Sequence, residues 1–233
     1  MSDQNGQFKG LKDLVHTKAS VKQDVFAVAK ESFLDLKEVL SEMTQELAKC
    51  AKETDERVAV SLTSEGDFRI QIILGGDTVV FHLHTNVFTF PPAHVIHKHS
   101  YVRGDSNNAY CGIIHVYNFL SDSFKYHRLN DSGYLIARIF VNRERKFFVE
   151  GRGQLGIRFN DFGAGTLQKP ALRDIATTAL TYALNFELFT PPFRQVDQVL
   201  LSDIQEMSQN LKLRTAKRLG FRFESDEDEM IDF

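Results

Sequence analysis

The chain has 233 residues, 42% of them hydrophobic and 25% charged, with a net charge of −3. That length buries a sizeable core, and the negative balance argues against a general affinity for nucleic acid backbone. The first residues lack the apolar core of a signal peptide and no run is long enough to cross a bilayer, so a cytoplasmic protein without a membrane segment is expected. Phenylalanine is over-used (20, against 6 Tyr and no Trp), which predicts a Phe-rich core. Cys50 and Cys111 form no CxxC and are expected to be reduced, mostly buried thiols.

Residues 1–19 are polar and aperiodic, which predicts an irregular N-terminal arm. Ser20 and Gln23 have the spacing of a capping box. A long helix is expected over residues 21–52, with Val25, Ala29, Phe33, Leu36, Leu40, Met43, Leu47 and Cys50 on one stripe. It either lies on a sheet or joins two copies of the chain as a homodimer. After residue 56 the period changes to alternation, with Val58, Val60 and Leu62 on one side. Glycine-bearing turns at 64–67 and 75–77 separate three strands, which predicts an antiparallel meander. The third strand, residues 78–90, is apolar and aromatic and ends at Pro91-Pro92. Residues 93–108 show no period and are expected to form a long loop.

Residues 110–120 resume alternation, with Cys111, Ile113, His115, Tyr117 and Phe119 on one face. A short edge strand is expected near 125–129, a hairpin over 134–141 and 146–150, and a last strand at 157–159. Leu172, Ile175, Ala176, Ala179, Leu180 and Ala183 mark a helix begun near Pro170. Val196, Leu200, Ile204, Met207 and Leu211 mark a last helix, stopped near Gly220. The expected fold is α+β: an antiparallel meander of about six strands, covered by one long N-terminal helix and two C-terminal helices. The expected organisation is an arm over 1–19, a single domain over 20–223 and an acidic tail over 224–233.

Six of the eight histidines, His82, His84, His94, His97, His99 and His115, fall in the central segment. His82 and His84 stand two apart on a strand, so their imidazoles point to one side; His97 and His99 share that spacing. Imidazoles that converge suit a divalent transition metal, the candidate cofactor here. Gly76, five residues, then His82-Leu83-His84 resembles the opening of the first cupin motif, which implies a metal-binding β-barrel. Phe88 and Thr89 stand where that motif carries glutamate, so such a site would be histidine-rich or borrow Asp105, Asp122 or Asp131. His82-Leu83-His84 also resembles the histidine–hydrophobic–histidine motif of rolling-circle and relaxase nucleases, which implies Tyr182 as a catalytic nucleophile. Gly151-Arg152-Gly153-Gln154-Leu155-Gly156 matches the glycine spacing of a dinucleotide loop, but the alternation after it predicts a strand where that loop needs a helix. Arg138, Arg143, Arg145 and Lys146 beside Phe147 and Phe148 read as a polar hairpin tip.

Asp226, Glu227, Asp228 and Glu229 precede Met230-Ile231-Asp232-Phe233. This end resembles the C-terminal tip of bacterial single-stranded-DNA-binding proteins, which implies a partner-protein contact through Asp226, Asp228, Met230, Ile231 and Phe233. The sequence therefore predicts a non-enzymatic binding or assembly protein that self-associates and engages a protein partner through its tail. The alternative is a metal-dependent, nuclease-like enzyme using His82, His84 and one or more of His97, His99 and His115.

Overall fold

In a computed structural model of the chain, residues 2–186, 188–189, 201–202 and 221–222 are described. The expected last helix and the acidic tail lie outside them. In chain order the elements are α1 (Ser2–Leu14), α2 (Ser20–Thr54), β1 (Val60–Glu65), β2 (Arg69–Leu74), β3 (Asp77–Leu83), α3 (Ser100–Gly104), β4 (Gly112–Leu120), α4 (Ser121–Lys125), β5 (Tyr134–Val141), β6 (Phe147–Gly151), α5 (Gln154–Arg158) and α6 (Lys169–Leu184). Strands β1 to β6 form one sheet in sequence order, each antiparallel to the next. The α+β meander, its long N-terminal helix and a C-terminal helix are as expected. The connections explain the order, since short turns join only antiparallel neighbours. The tight β2–β3 turn uses Gly75 at φ 59°, a conformation that costs glycine little.

Helices α2 and α6 cover one face of the sheet. Val25, Ala29, Phe33, Leu36 and Leu40 are buried on α2 at helical spacing. They pack with Ile70, Ile72, Phe81, Ile114, Val116 and Ile139 of the sheet and with Leu172, Ile175 and Ala179 of α6. The approach is close at one point: a Cβ built on Gly112 would stand 2.5 Å from the Cβ of Ala29. Along its flank α2 presents Glu31, Asp35, Glu38 and Glu46, one or two turns apart. Arg145 bonds Asp35 at 2.7 Å and reaches Glu31, Lys169 pairs with Glu38, and Arg173 bonds Glu46 at 2.7 Å. Exposed pairs contribute little singly, but this ladder fixes the register of α2 against α6 and the β5–β6 turn.

Several expectations need correction. The arm is helical: α1 runs through one wide turn, Val15–Ala19, into α2. Ser20 therefore has helical backbone angles and caps nothing. Cys111 is buried, whereas Cys50 is exposed because α2 leaves the sheet after Thr44. Strand β3 stops at Leu83. Phe88 and Phe90 turn away with the 84–111 segment and form a second, smaller core with Ile96, Val102, Ile113 and Phe140. That core covers one end of the sheet's other face. The expected edge strand near 125–129 is absent: the short helix α4 and a turn stand there instead. The last expected strand is the short helix α5, set by Gly153 at φ 54°. The sheet is wholly antiparallel, so the glycine loop opens no βαβ unit.

Candidate functional site

The site is on the face of the sheet that α2 and α6 leave open. Directly paired residues of adjacent strands point to the same side. Glu65 pairs with Arg69, Arg69 with His82, His82 with His115, His115 with Arg138, and Arg138 with Glu150. One row thus crosses all six strands in the order Glu–Arg–His–His–Arg–Glu. The outer carboxylates hold the guanidinia: Arg69 pairs with Glu65, and Arg138 bonds Glu150 at 2.8 Å. The Arg69 and Arg138 side chains are still 41% and 40% exposed, so both have donors facing solvent.

The imidazoles lie between the two guanidinia. Ring centres of His82 and His115 are 6.4 Å apart, and His84 stands 5.9 Å from His115. Tyr117 stacks on His115 at 5.7 Å. Burial, helped by the charge of Arg138, holds His115 down at about 4. Burial, then His84 and Arg69, lowers His82 as well. Both rings are therefore neutral at neutral pH. Because the folded His115 takes its proton below the unfolded value, the unfolded chain binds more protons between those values. Stability is full above about pH 6.5 and falls as pH drops toward 4. After discounting for solvent screening, unfolding free energies from urea titrations at pH 7 and pH 5 should differ by about 1 kcal/mol through this ring. His115→Gln should flatten that part of the profile; an unchanged slope would contradict the assignment.

The other expected ligands do local work. His94 and His99 accept backbone N–H bonds from Ile96 and Tyr101 and cap short helices. The Nε2 of His99 is 3.3 Å from Asp161, and that of His97 is 3.1 Å from the Phe90 carbonyl. Of the five expected metal ligands, the structure brings together His82, His84 and His115 and not His97 or His99. No three His, Cys, Asp or Glu side chains among the described residues lie in metal-holding geometry. Asp105 is bound to Arg143 at 2.6 Å, and Asp131 to Arg128 at 2.9 Å. Tyr182 packs against the core on the helix-covered face, so the sheet separates it from the histidines. The basic hairpin tip is internally satisfied: Arg143, Arg145 and Lys146 bond Asp105, Asp35 and the Gly163 carbonyl.

Among the described residues, cavities open along the row. One of about 290 Å³ lies between Arg69, His82 and Tyr117 and the α4 segment. Another, about 270 Å³, is lined by Arg138, Glu150 and Arg152, and one of about 520 Å³ reaches Glu150 from the 94–99 segment. The arginines were missed at the sequence level because the cross-strand register places them beside the histidines: Arg69 meets His82 across the tight β2–β3 hairpin and Arg138 meets His115 across the 121–133 connection. The fold and the row define an α+β protein with an open, guanidinium-flanked sheet face. Comparison with protein-family models, with curated proteins and with solved structures found no match. No described helix is long and apolar enough to cross a membrane.

Proposed function

We propose that the chain is a non-enzymatic binding protein that takes an anionic ligand on the open face of its sheet. The observation that carries this is the row itself. Two half-exposed guanidinia flank two imidazoles that are neutral at neutral pH, so cationic donors are open to an anion along the row. Guanidinium donors suit carboxylate and phosphate oxygens. The alternative reading is the metal-dependent enzyme, and among the described residues no three His, Cys, Asp or Glu side chains are placed to hold a metal. Calorimetric titration with pyrophosphate tests the proposal. Measurable binding that weakens with added salt and fails in an Arg69→Gln/Arg138→Gln variant is the expected result.

Self-association belongs to the same reading. Phe8, Leu11, Leu14 and Val15 are all at least half exposed on the helix that runs out beyond the core. Phe8, Leu11 and Val15 share one stripe, the pattern of a helix that buries its face against another helix. Sedimentation should give a concentration-dependent dimer, and Phe8→Ser/Leu11→Ser/Val15→Ser should give a monomer. The acidic segment 226–233 is the hook for a protein partner, steered by charge and anchored by Phe233. Pull-downs with the full chain should capture a protein that is lost when residues 226–233 are removed. Pyrophosphate binding should survive that removal.

A further inference from the structure

The row's ligand carries an aromatic ring: we infer that the chain binds a small aromatic acid, its anionic group at Arg69 and its ring in the 290 Å³ cavity beside α4. This rests on the reading of the row as an anion site.

The cavity joins the row at Arg69 and His82. Away from them Val80, Tyr117, Phe119, Phe124 and Leu129 make an apolar and aromatic wall, with Ser123, Arg128 and Asp131 as its polar part. Phe119 meets Phe124 edge to face at 5.5 Å and Tyr117 is tilted at 6.3 Å from Phe119, which leaves ring faces and edges for a further ring to pack against. The Phe119 wall is fixed, because its ring lies where a Cβ on Gly133 would be, 2.2 Å from that position. The volume is suited to one ring system with an acid group, at the small end of ligand pockets. Leu129 is 91% exposed at the mouth of this apolar space, a large side chain that a seated ring would cover. Arg128 adds a second guanidinium to the lining, paired with Asp131 at 2.9 Å as Arg69 is paired with Glu65.

Carboxylate and phosphate share the chemistry that Arg69 recognises, and the test separates them. Affinities of phenyl phosphate, inorganic phosphate, benzoate and acetate would be measured by side-chain NMR shifts of His82 and Tyr117. At least one aromatic acid should bind tenfold or more tighter than its ring-free analogue, and whichever pair shows this identifies the anionic group. Leu129→Ser should bring that ratio toward one, because it removes apolar wall at an exposed position that the fold does not need. Ile157→Ser, at an exposed apolar residue outside both the row and the cavity, should leave the ratio unchanged. Equal affinity with and without the ring, still dependent on Arg69, would overturn the aromatic ligand and leave the anion site standing. No binding of any of the four would overturn both.

Discussion

Replacing Gly112 by valine should destabilise the protein by about 3 kcal/mol, more than any surface change described above. The Cβ position at Gly112 is 2.5 Å from the Cβ of Ala29. Both belong to rigid elements, the start of β4 and the buried stripe of α2, and Ala29 is fully buried. A methyl group can enter only if the helix lifts from the sheet, and that loosens Phe33, Leu36 and the rest of the core. Gly112→Ala should cost about 2 kcal/mol by the same route. The contact makes the prediction sharper through a double-mutant cycle. Ala29→Gly costs about 1 kcal/mol in helix propensity, yet combined with Gly112→Ala it clears the clash. The double variant should be more stable than the sum of the singles by at least about 1 kcal/mol in urea unfolding. Strict additivity would mean that the helix and the strand do not meet there.

The second large effect is on binding. Loss of one charge-assisted contact to an anion costs about 1.5–3 kcal/mol, roughly tenfold or more in affinity. Arg69→Gln/Arg138→Gln should therefore weaken pyrophosphate binding by about tenfold or more. Fold stability should change little, since exposed ion pairs of this kind contribute at most about 1 kcal/mol. The single variant Arg138→Gln carries a further signature. Its cation is one of the causes that keep His115 low, so His115 should titrate at higher pH once it is gone. A binding loss without that shift would place the anion elsewhere than on the row.

Most of the architecture was legible because period and turn chemistry agree. Alternation at Ile70, Ile72 and Leu74 with glycine at 75 and 76 specifies a hairpin with one buried face. Likewise the spacing of Val25, Ala29, Phe33 and Leu36 specifies a helix with one buried stripe. The failures have physical causes. The run from 84 to 90 is as strand-like as the strand before it, but its phenylalanines serve a second core that only the tertiary fold creates. The polar first residues gave no periodic signal strong enough to outweigh their glycines, yet they extend a helix already nucleated behind them. His97 and His99 looked like ligands because imidazole spacing does not distinguish metal binding from local hydrogen bonding. His82 and His115 stand side by side on β3 and β4, and His84, just past the end of β3, comes within 5.9 Å of His115. Their arginine neighbours, which alter the chemistry from cation to anion recognition, follow from exact strand register, across the β2–β3 hairpin for Arg69 and across the 121–133 connection for Arg138.

The most direct measurement is an NMR pH titration of His115 and His82, with and without pyrophosphate. Without it, His115 should titrate near 4 and His82 below the ordinary histidine value. With pyrophosphate both should move up, because a bound anion favours the protonated rings, and both movements should vanish in Arg69→Gln/Arg138→Gln. Rings that ignore pyrophosphate, or shifts that persist without the two arginines, would contradict the claim that this row is the binding site.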